Sequence, residues 1–383
     1  SSGKSTFFKA VTLAEVAIAS YPFTTIKPNR GVGYVKVDCI DKEFNTKCNP
    51  NHGFCIKNKR FVPVELMDVA GLVPGASEGK GLGNQFLDDL RQADVFIHIL
   101  DASGTTDSEG KQTENHDPSK DIEFLEDELD KWFFNLLMKA WKSFARKVET
   151  EGNFVNSVVK QFSGLKVNEE QVKSVLTKNN FPEKVISWGD KDLLKFASAL
   201  RKESKPTIIA ANKIDMEKSR ENYEKLRKKF SNIIIVPCSA DSELALREAA
   251  KSGLIEYIPG EENFEIKGKL NEKQKQALER IKKNVTDKFG GTGVQDVLNH
   301  AVFGLLKYIA VFPASANKLS DSKGNILPDC FLLPPRSTAL DFAYFLHTDF
   351  GKNFIKAIDA RTKKALGKNY ILKNRDTLEI ITK

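Results

Sequence analysis

The chain has 383 residues, with 59 Lys and Arg against 51 Asp and Glu, a net charge of +8 and a pI of about 9.0. That length and a 40% hydrophobic content leave room for two or three domains and a sizeable core, and no apolar run reaches the ~18 residues a membrane helix needs. Five cysteines, an odd number, fit a reducing cytoplasm.

Gly3-Lys4-Ser5-Thr6 reads as the end of a phosphate-binding P-loop. In such a loop backbone N–H groups wrap the phosphates, a lysine reaches the β and γ oxygens, and a hydroxyl holds Mg²⁺. Lys4 and Ser5 would take the last two roles. Thr6, Phe7, Phe8, Ala10, Val11 and Leu13 continue with helical spacing, which sets the phosphates at a helix N-terminus. The complete pattern has a glycine five positions before Gly3 and a β-strand before that, so the native protein is expected to carry those residues as well.

The next stretch, Tyr21-Pro22-Phe23-Thr24-Thr25-Ile26 with Pro28-Asn29-Arg30-Gly31, lies where a switch threonine belongs. Thr25 is the candidate second Mg²⁺ ligand. Cys39, Cys48, His52 and Cys55 follow in a polar stretch between two strands. They could hold a structural zinc ion, but without paired Cys-x-x-Cys knuckles the spacing favours a solvated hairpin with free thiols.

Residues 61–67 alternate as a strand closed by Asp68, with Gly71 three positions on. An aspartate there can hold a water of the Mg²⁺ shell, and the glycine N–H can meet the γ-phosphate. Leu72 occupies the position where many GTPases place a glutamine that orients the attacking water. Hydrolysis is therefore expected to be slow and to use another group or a monovalent cation such as K⁺. Residues 75–85 hold four glycines, as a second switch loop would.

Between Asp101 and Lys205 the alternation of strand and helix stops. Asp117 as N-cap and Pro118 as first helical residue open one long amphipathic helix through Ile122, Leu125, Leu129, Trp132, Leu136, Ala140, Phe144 and Val148. Two shorter helices are expected near Glu169 to Lys178 and Lys191 to Lys202. Residues 206–211 then form a strand leading into Asn212-Lys213-Ile214-Asp215, a guanine-reading motif. Asp215 would accept from the guanine N1–H and 2-amino group, Asn212 would meet the opposite edge, and the Lys213 stem would lie along the base. A further strand, 232–236, ends in Pro237-Cys238-Ser239-Ala240, which suits a fifth nucleotide loop.

A helical region is expected from Ala240 to about Lys307, and Tyr308 to Phe312 as a strand leaving the nucleotidase core. Cys238, Cys330 and His347 read as packing residues. From Phe331 to Lys383, ten Arg and Lys stand against five Asp and Glu, a local excess of +5.

Three segments, Tyr21 to Gly31, Asp68 through Leu72-Val73-Pro74-Gly75-Ala76 to Gly81-Leu82-Gly83-Asn84, and Phe331 to Ile381, resemble the YchF-type Obg-like P-loop nucleotidases. The archaeal-type branch is the expected affiliation. The resemblance implies an α/β fold: a Ras-like parallel sheet interrupted by a helical arm and followed by a TGS β-grasp domain. The expected divisions are 1–116 and 205–312 for the nucleotidase, 117–204 for the arm and 313–383 for the TGS domain. Many members prefer ATP and replace the base motif, whereas this chain keeps the guanine-type residues, so GTP is the expected ligand with ATP the alternative. TGS domains accompany translation enzymes, so ribosome or RNA is the expected partner of the basic TGS domain and arm, with solubility alone the plainer reading of the charge. A third reading is an RNA-binding scaffold with a structural nucleotide.

Overall fold

The computed structural model describes residues 2–12, 30–69, 89–107, 111–139, 141–321 and 323–383, with the Glu151 side chain left out. Thr25, Gly71 and Leu72 lie outside the described residues. The chain divides into two compact units, 1–3 with 67–236, and 4–66 with 237–383.

The first unit holds a three-stranded sheet in the order β4 (Phe96–Asp101), β5 (Thr207–Asn212), β6 (Ile234–Pro237). β4 and β5 run parallel, and β5 is almost wholly buried, as a continuous apolar run implies. Between these two strands lies the helical region. It comprises α2 (Ser119–Met138), α3 (Trp141–Glu151), α4 (Phe154–Gln161), α5 (Glu169–Lys178) and α6 (Asp190–Ser204). The one long helix expected from the apolar spacing is thus two. Its buried stripe runs Leu129, Phe133, Leu137, Trp141, Ala145, Val148 rather than through Leu136 and Phe144. The two pieces have different partners: α2 packs on α6, whereas Trp141 of α3 stacks on Trp188, ring centroids 5.8 Å apart. Arg201, 1% exposed, ties α6 to α2 through Glu126 (2.6 Å) and Asp130 (2.8 Å), which fixes their register. The start is displaced by one residue from expectation: α2 begins at Ser119, whose N–H donates to Asp117 Oδ1 at 2.9 Å. α7 (Ser219–Lys229) follows β5.

The second unit opens with α1 (Lys4–Thr12) and a sheet ordered β1 (Arg30–Asp38), β3 (Lys59–Met67), β2 (Phe54–Ile56). Beyond it lie α8 (Ala240–Lys251), an antiparallel hairpin β7 (Ile255–Tyr257) and β8 (Phe264–Ile266), α9 (Glu272–Ile281) and α10 (Val294–Asn299). The hairpin adds two strands to a region the sequence suggested was helical throughout its segments. Asn271 caps α9 in a reciprocal capping box with Gln274.

The C-terminal sheet has the order β10 (Phe331–Leu333), β9 (Ile309–Pro313), β13 (Thr377–Thr382), β11 (Phe354–Asp359), β12 (Ala365–Leu366). β13 runs parallel to β9 and antiparallel to β11. Here the strand expected to leave the nucleotidase core is an interior strand of the β-grasp sheet. Its Val311 shares a core with Leu333, Phe342 of α11 (Ala339–Leu346), Ala357 and Leu378, which explains why the run is apolar. His347 differs from its expected packing role: it is exposed, and its Nδ1 accepts from the Asp349 N–H at 3.2 Å, capping α12 (Thr348–Lys352). Cys238 and Cys330 are buried, as expected of small packing residues. Among the described residues no helix is long and apolar enough to cross a membrane.

Candidate nucleotide site

Asp101 and Asn212 end β4 and β5 directly opposite one another, at the carboxyl edge where open α/β sheets bind ligands. Asn212 is 3% exposed, and its Nδ2 donates to the Ser2 carbonyl at 2.9 Å. Gly3 has φ +85°, and a Cβ there would lie 2.3 Å from Asn212 Nδ2, so this left-handed position accepts only glycine without rearrangement. The side chain expected at the edge of the base therefore also clamps the loop expected at the phosphates.

Lys213, at φ +63°, starts a turn closed by the Met216 N–H donating to its carbonyl at 3.0 Å. Ser219 Oγ donates to the same carbonyl at 2.7 Å, and half-buried Asp215 rides in this turn. Lys213 Nζ reaches Asp101 Oδ2 at 2.7 Å. Asp101, 2% exposed, also accepts from the Ser103 N–H and Oγ (3.0 and 2.5 Å), Thr105 Oγ1 (3.1 Å) and Thr106 Oγ1 (2.7 Å). Burial pushes the carboxyl pKa up, but the bonds from Lys213, Ser103 and Thr106 outweigh it and hold the group below the ordinary range. Sequence reasoning missed Asp101. Its signal was an acid closing the apolar run Phe96–Leu100 just before Ser103-Gly104-Thr105-Thr106. On the same strand, burial drives the His98 imidazole down to about 4. Its Nδ1 is buried with no hydrogen-bond partner among the described residues.

Asp68 directly follows β3 and is half-buried. In the second unit, Lys4, Ser5 and Thr6 form the first turn of α1, anchored by buried Phe7, Ala10 and Val11. That turn holds no acidic residue, and the positive end of the helix dipole favours an anion there. Ser239 caps α8, its side chain accepting from the Ser242 N–H at 3.3 Å, and its own N–H donates to the Thr292 carbonyl at 2.9 Å. Ala240 is buried. Beneath this cap Glu243, fully buried, accepts from Arg247 Nε at 2.5 Å, the Tyr257 hydroxyl at 2.7 Å and Thr292 Oγ1. Gly293 is at φ +75°, and a Cβ there would fall 1.9 Å from the Pro237 carbonyl oxygen. Within each unit, then, Gly3 meets Asn212 and Lys213 meets Asp101, while Ser239 and Ala240 stand over Glu243.

Known families match in chain order. Residues 1–132 match the 50S ribosome-binding GTPase family, 210–315 the G4 motif-containing domain of YGR210-like Obg-like GTPases, and 323–382 the TGS domain. A GTP-binding protein of Methanocaldococcus jannaschii is 48% identical over 383 residues, covering 99% of this chain and 96% of that protein. The chain is a YchF-like member of the Obg family of GTPases. Among solved structures, a GTP-binding protein of Pyrococcus horikoshii is 40% identical to this Obg-family chain. It matches with a TM-score of 0.79 over 100% of this chain and 97% of its own. The ribosome-binding ATPase YchF of Buchnera aphidicola is 27% identical over 93% of the Obg-family chain and 84% of its own length.

Proposed function

We propose that the chain is a Mg²⁺-dependent GTP-binding switch that hydrolyses its nucleotide slowly and works in contact with the ribosome. The observation that carries this reading is the Asn212–Asp215 turn: it stands at the end of β5, Asn212 bonded to Ser2 and Lys213 to buried Asp101. A nucleotide fits because Gly3 leaves side-chain-free backbone there, which phosphate needs for close approach. Lys4 would meet the β and γ phosphates with the Gly3 and Thr6 backbone. Ser5, Thr25 and Asp68 would serve Mg²⁺, and the Gly71 N–H the γ-phosphate. Asp215 would read the guanine, with Ser239 and Ala240 offering backbone to the base.

Slow turnover follows from Leu72, whose side chain cannot orient water, so an added group or K⁺ would assist. The basic C-terminal domain and the lysine-rich arm supply charge for ribosomal RNA. The Buchnera relative's description as a ribosome-binding ATPase favours the same partner, and keeps ATP as a second reading.

Calorimetric titration with GTP and with ATP in Mg²⁺ separates the two nucleotides. A site whose carboxylate accepts two guanine donors should bind GTP at least about a hundredfold tighter. Asp215→Asn should let xanthosine triphosphate compete. Equal affinities for GTP and ATP would end the guanine reading.

A further inference from the structure

Three cysteines and an aspartate outside the nucleotide site form a cluster in the second unit. Cys39 follows β1, Asp41 sits in the short turn Ile40–Lys42, Cys48 lies in the loop after it, and Cys55 is the middle residue of β2. Their sulfur and carboxylate oxygen atoms all lie within 4.8 Å of one another. Cys39, Cys48 and Asp41 are buried, the last at 2% exposure, and all three cysteines are free thiols. The expected solvated hairpin is therefore a closed pocket of ligand atoms.

We propose that Cys39, Cys48, Cys55 and Asp41 bind one structural zinc ion. Tetrahedral zinc with Zn–S bonds of about 2.3 Å requires sulfurs roughly 3.8 Å apart. Cys39 Sγ and Cys48 Sγ are 3.7 Å apart, matching that edge and far longer than a disulfide bond of about 2.0 Å. Asp41 is pre-aimed. Its Oδ1 accepts from the Lys42 N–H at 2.8 Å and from Asn58 Nδ2 at 3.0 Å, while Oδ2 takes only a long bond from the Cys48 N–H at 3.5 Å and faces Cys55 Sγ at 4.0 Å. Such outer bonds orient a metal-binding carboxylate.

Charge supports the same assignment. Arg60 is fully buried beside Cys55 in the β2–β3 register. Its Nη1 and Nη2 donate to the Leu327 and Pro328 carbonyls, and its Nε finds no acceptor among the described residues. Three thiolates, one carboxylate and Zn²⁺ leave a net negative site that offsets this buried guanidinium. Soft thiolates select zinc over Mg²⁺ or Ca²⁺, and four protein ligands leave no open position, so the ion would pin the turn and the three-residue β2 rather than catalyse. His52, the fourth candidate ligand in the sequence, is instead 3.9 Å from Asp329.

The test uses the full chain purified under reducing conditions, with metal measured by plasma mass spectrometry. One zinc per chain is expected, lost in Cys48→Ser and in Cys55→Ser and kept in His52→Ala and Cys238→Ala. Asn58→Ala should weaken zinc affinity on the order of tenfold. Because a ligand variant can fail to fold, the unmutated chain is also titrated with Co²⁺, which should give thiolate charge-transfer and tetrahedral d–d bands. Its thiols should become reactive when a chelator is added. Absence of zinc together with a silent Co²⁺ titration overturns the proposal. So do thiols that appear only after added reductant, since those would mark a disulfide.

Discussion

Asp101 and Glu243 are both buried carboxylates beneath loops expected to read a base, yet each is satisfied differently. Asp101 accepts from three hydroxyls, a backbone N–H and Lys213, which is half-buried and can swing towards water. Glu243 accepts from Arg247, itself 4% exposed, together with Tyr257 and Thr292. The first arrangement couples an acid to the loop proposed to read the base. The second locks a helix cap to its neighbours, and both partners are trapped. A buried charge is costly to orphan in proportion to how completely its partner is buried.

That contrast can be broken by truncation. Glu243→Ala should cost about 3–5 kcal/mol in chemical denaturation, because Arg247 is left charged and unable to reach water. A loss no larger than that of Asp101→Ala would erase the distinction.

Acid sharpens it further. His98 lies on the Asp101 strand, with a folded pKa of about 4 against an ordinary 6.5. Between those values the unfolded chain binds the proton, so this contribution is fully present above pH 6.5 and is lost as pH falls towards 4. A depression of this size corresponds to about 3 kcal/mol. Asp101, whose carboxyl titrates below the ordinary range, stays ionised over that window. The slope should therefore vanish in His98→Leu, and a slope that survives would assign the effect to other groups.

Asp101→Ala should cost about 1–3 kcal/mol of stability, since its hydroxyl partners are left without an acceptor. It should also weaken GTP binding by freeing Lys213, whereas Glu243→Ala variants that remain folded should bind GTP nearly as the parent does. The smallest effect is expected of Gly3→Ala. Left-handed backbone costs an ordinary residue roughly 1–2 kcal/mol, and the added methyl must displace Asn212, so GTP affinity should fall on the order of tenfold. Unchanged affinity would show that the Ser2–Asn212 contact does not support binding.

Local signals were the legible ones. Asn168 and Gln171 form a capping box at the head of α5, and the sequence placed that helix at its observed bounds, Glu169–Lys178. The strand before Asn212 was equally plain, because a run buried on both faces is apolar throughout. What escaped depends on partners distant in sequence. Asp101 gains its role from Lys213, Asp41 replaces His52 because of where β1 and β2 bring Cys39 and Cys55, and β9 belongs to the strand it pairs with rather than to the residues before it. A split in an amphipathic pattern, as between α2 and α3, likewise shows only once the two stripes have different neighbours to pack on.

The division of the chain bears on how it is made. The polypeptide passes from one unit to the other after Gly3, after Leu66 and after Val236. Vectorial synthesis delivers the N-terminal part first, so α1 and β1–β3 emerge long before α8, with which α1 packs, has been translated. The intervening unit can gather its own strands and helices meanwhile, while the apolar face of α1, with Phe7, Ala10 and Val11, waits for its partner. A nascent chain of this design can lay α1 on β1 early but holds it without its α8 partner until more than half of these residues have been made, so the core of the second unit closes late.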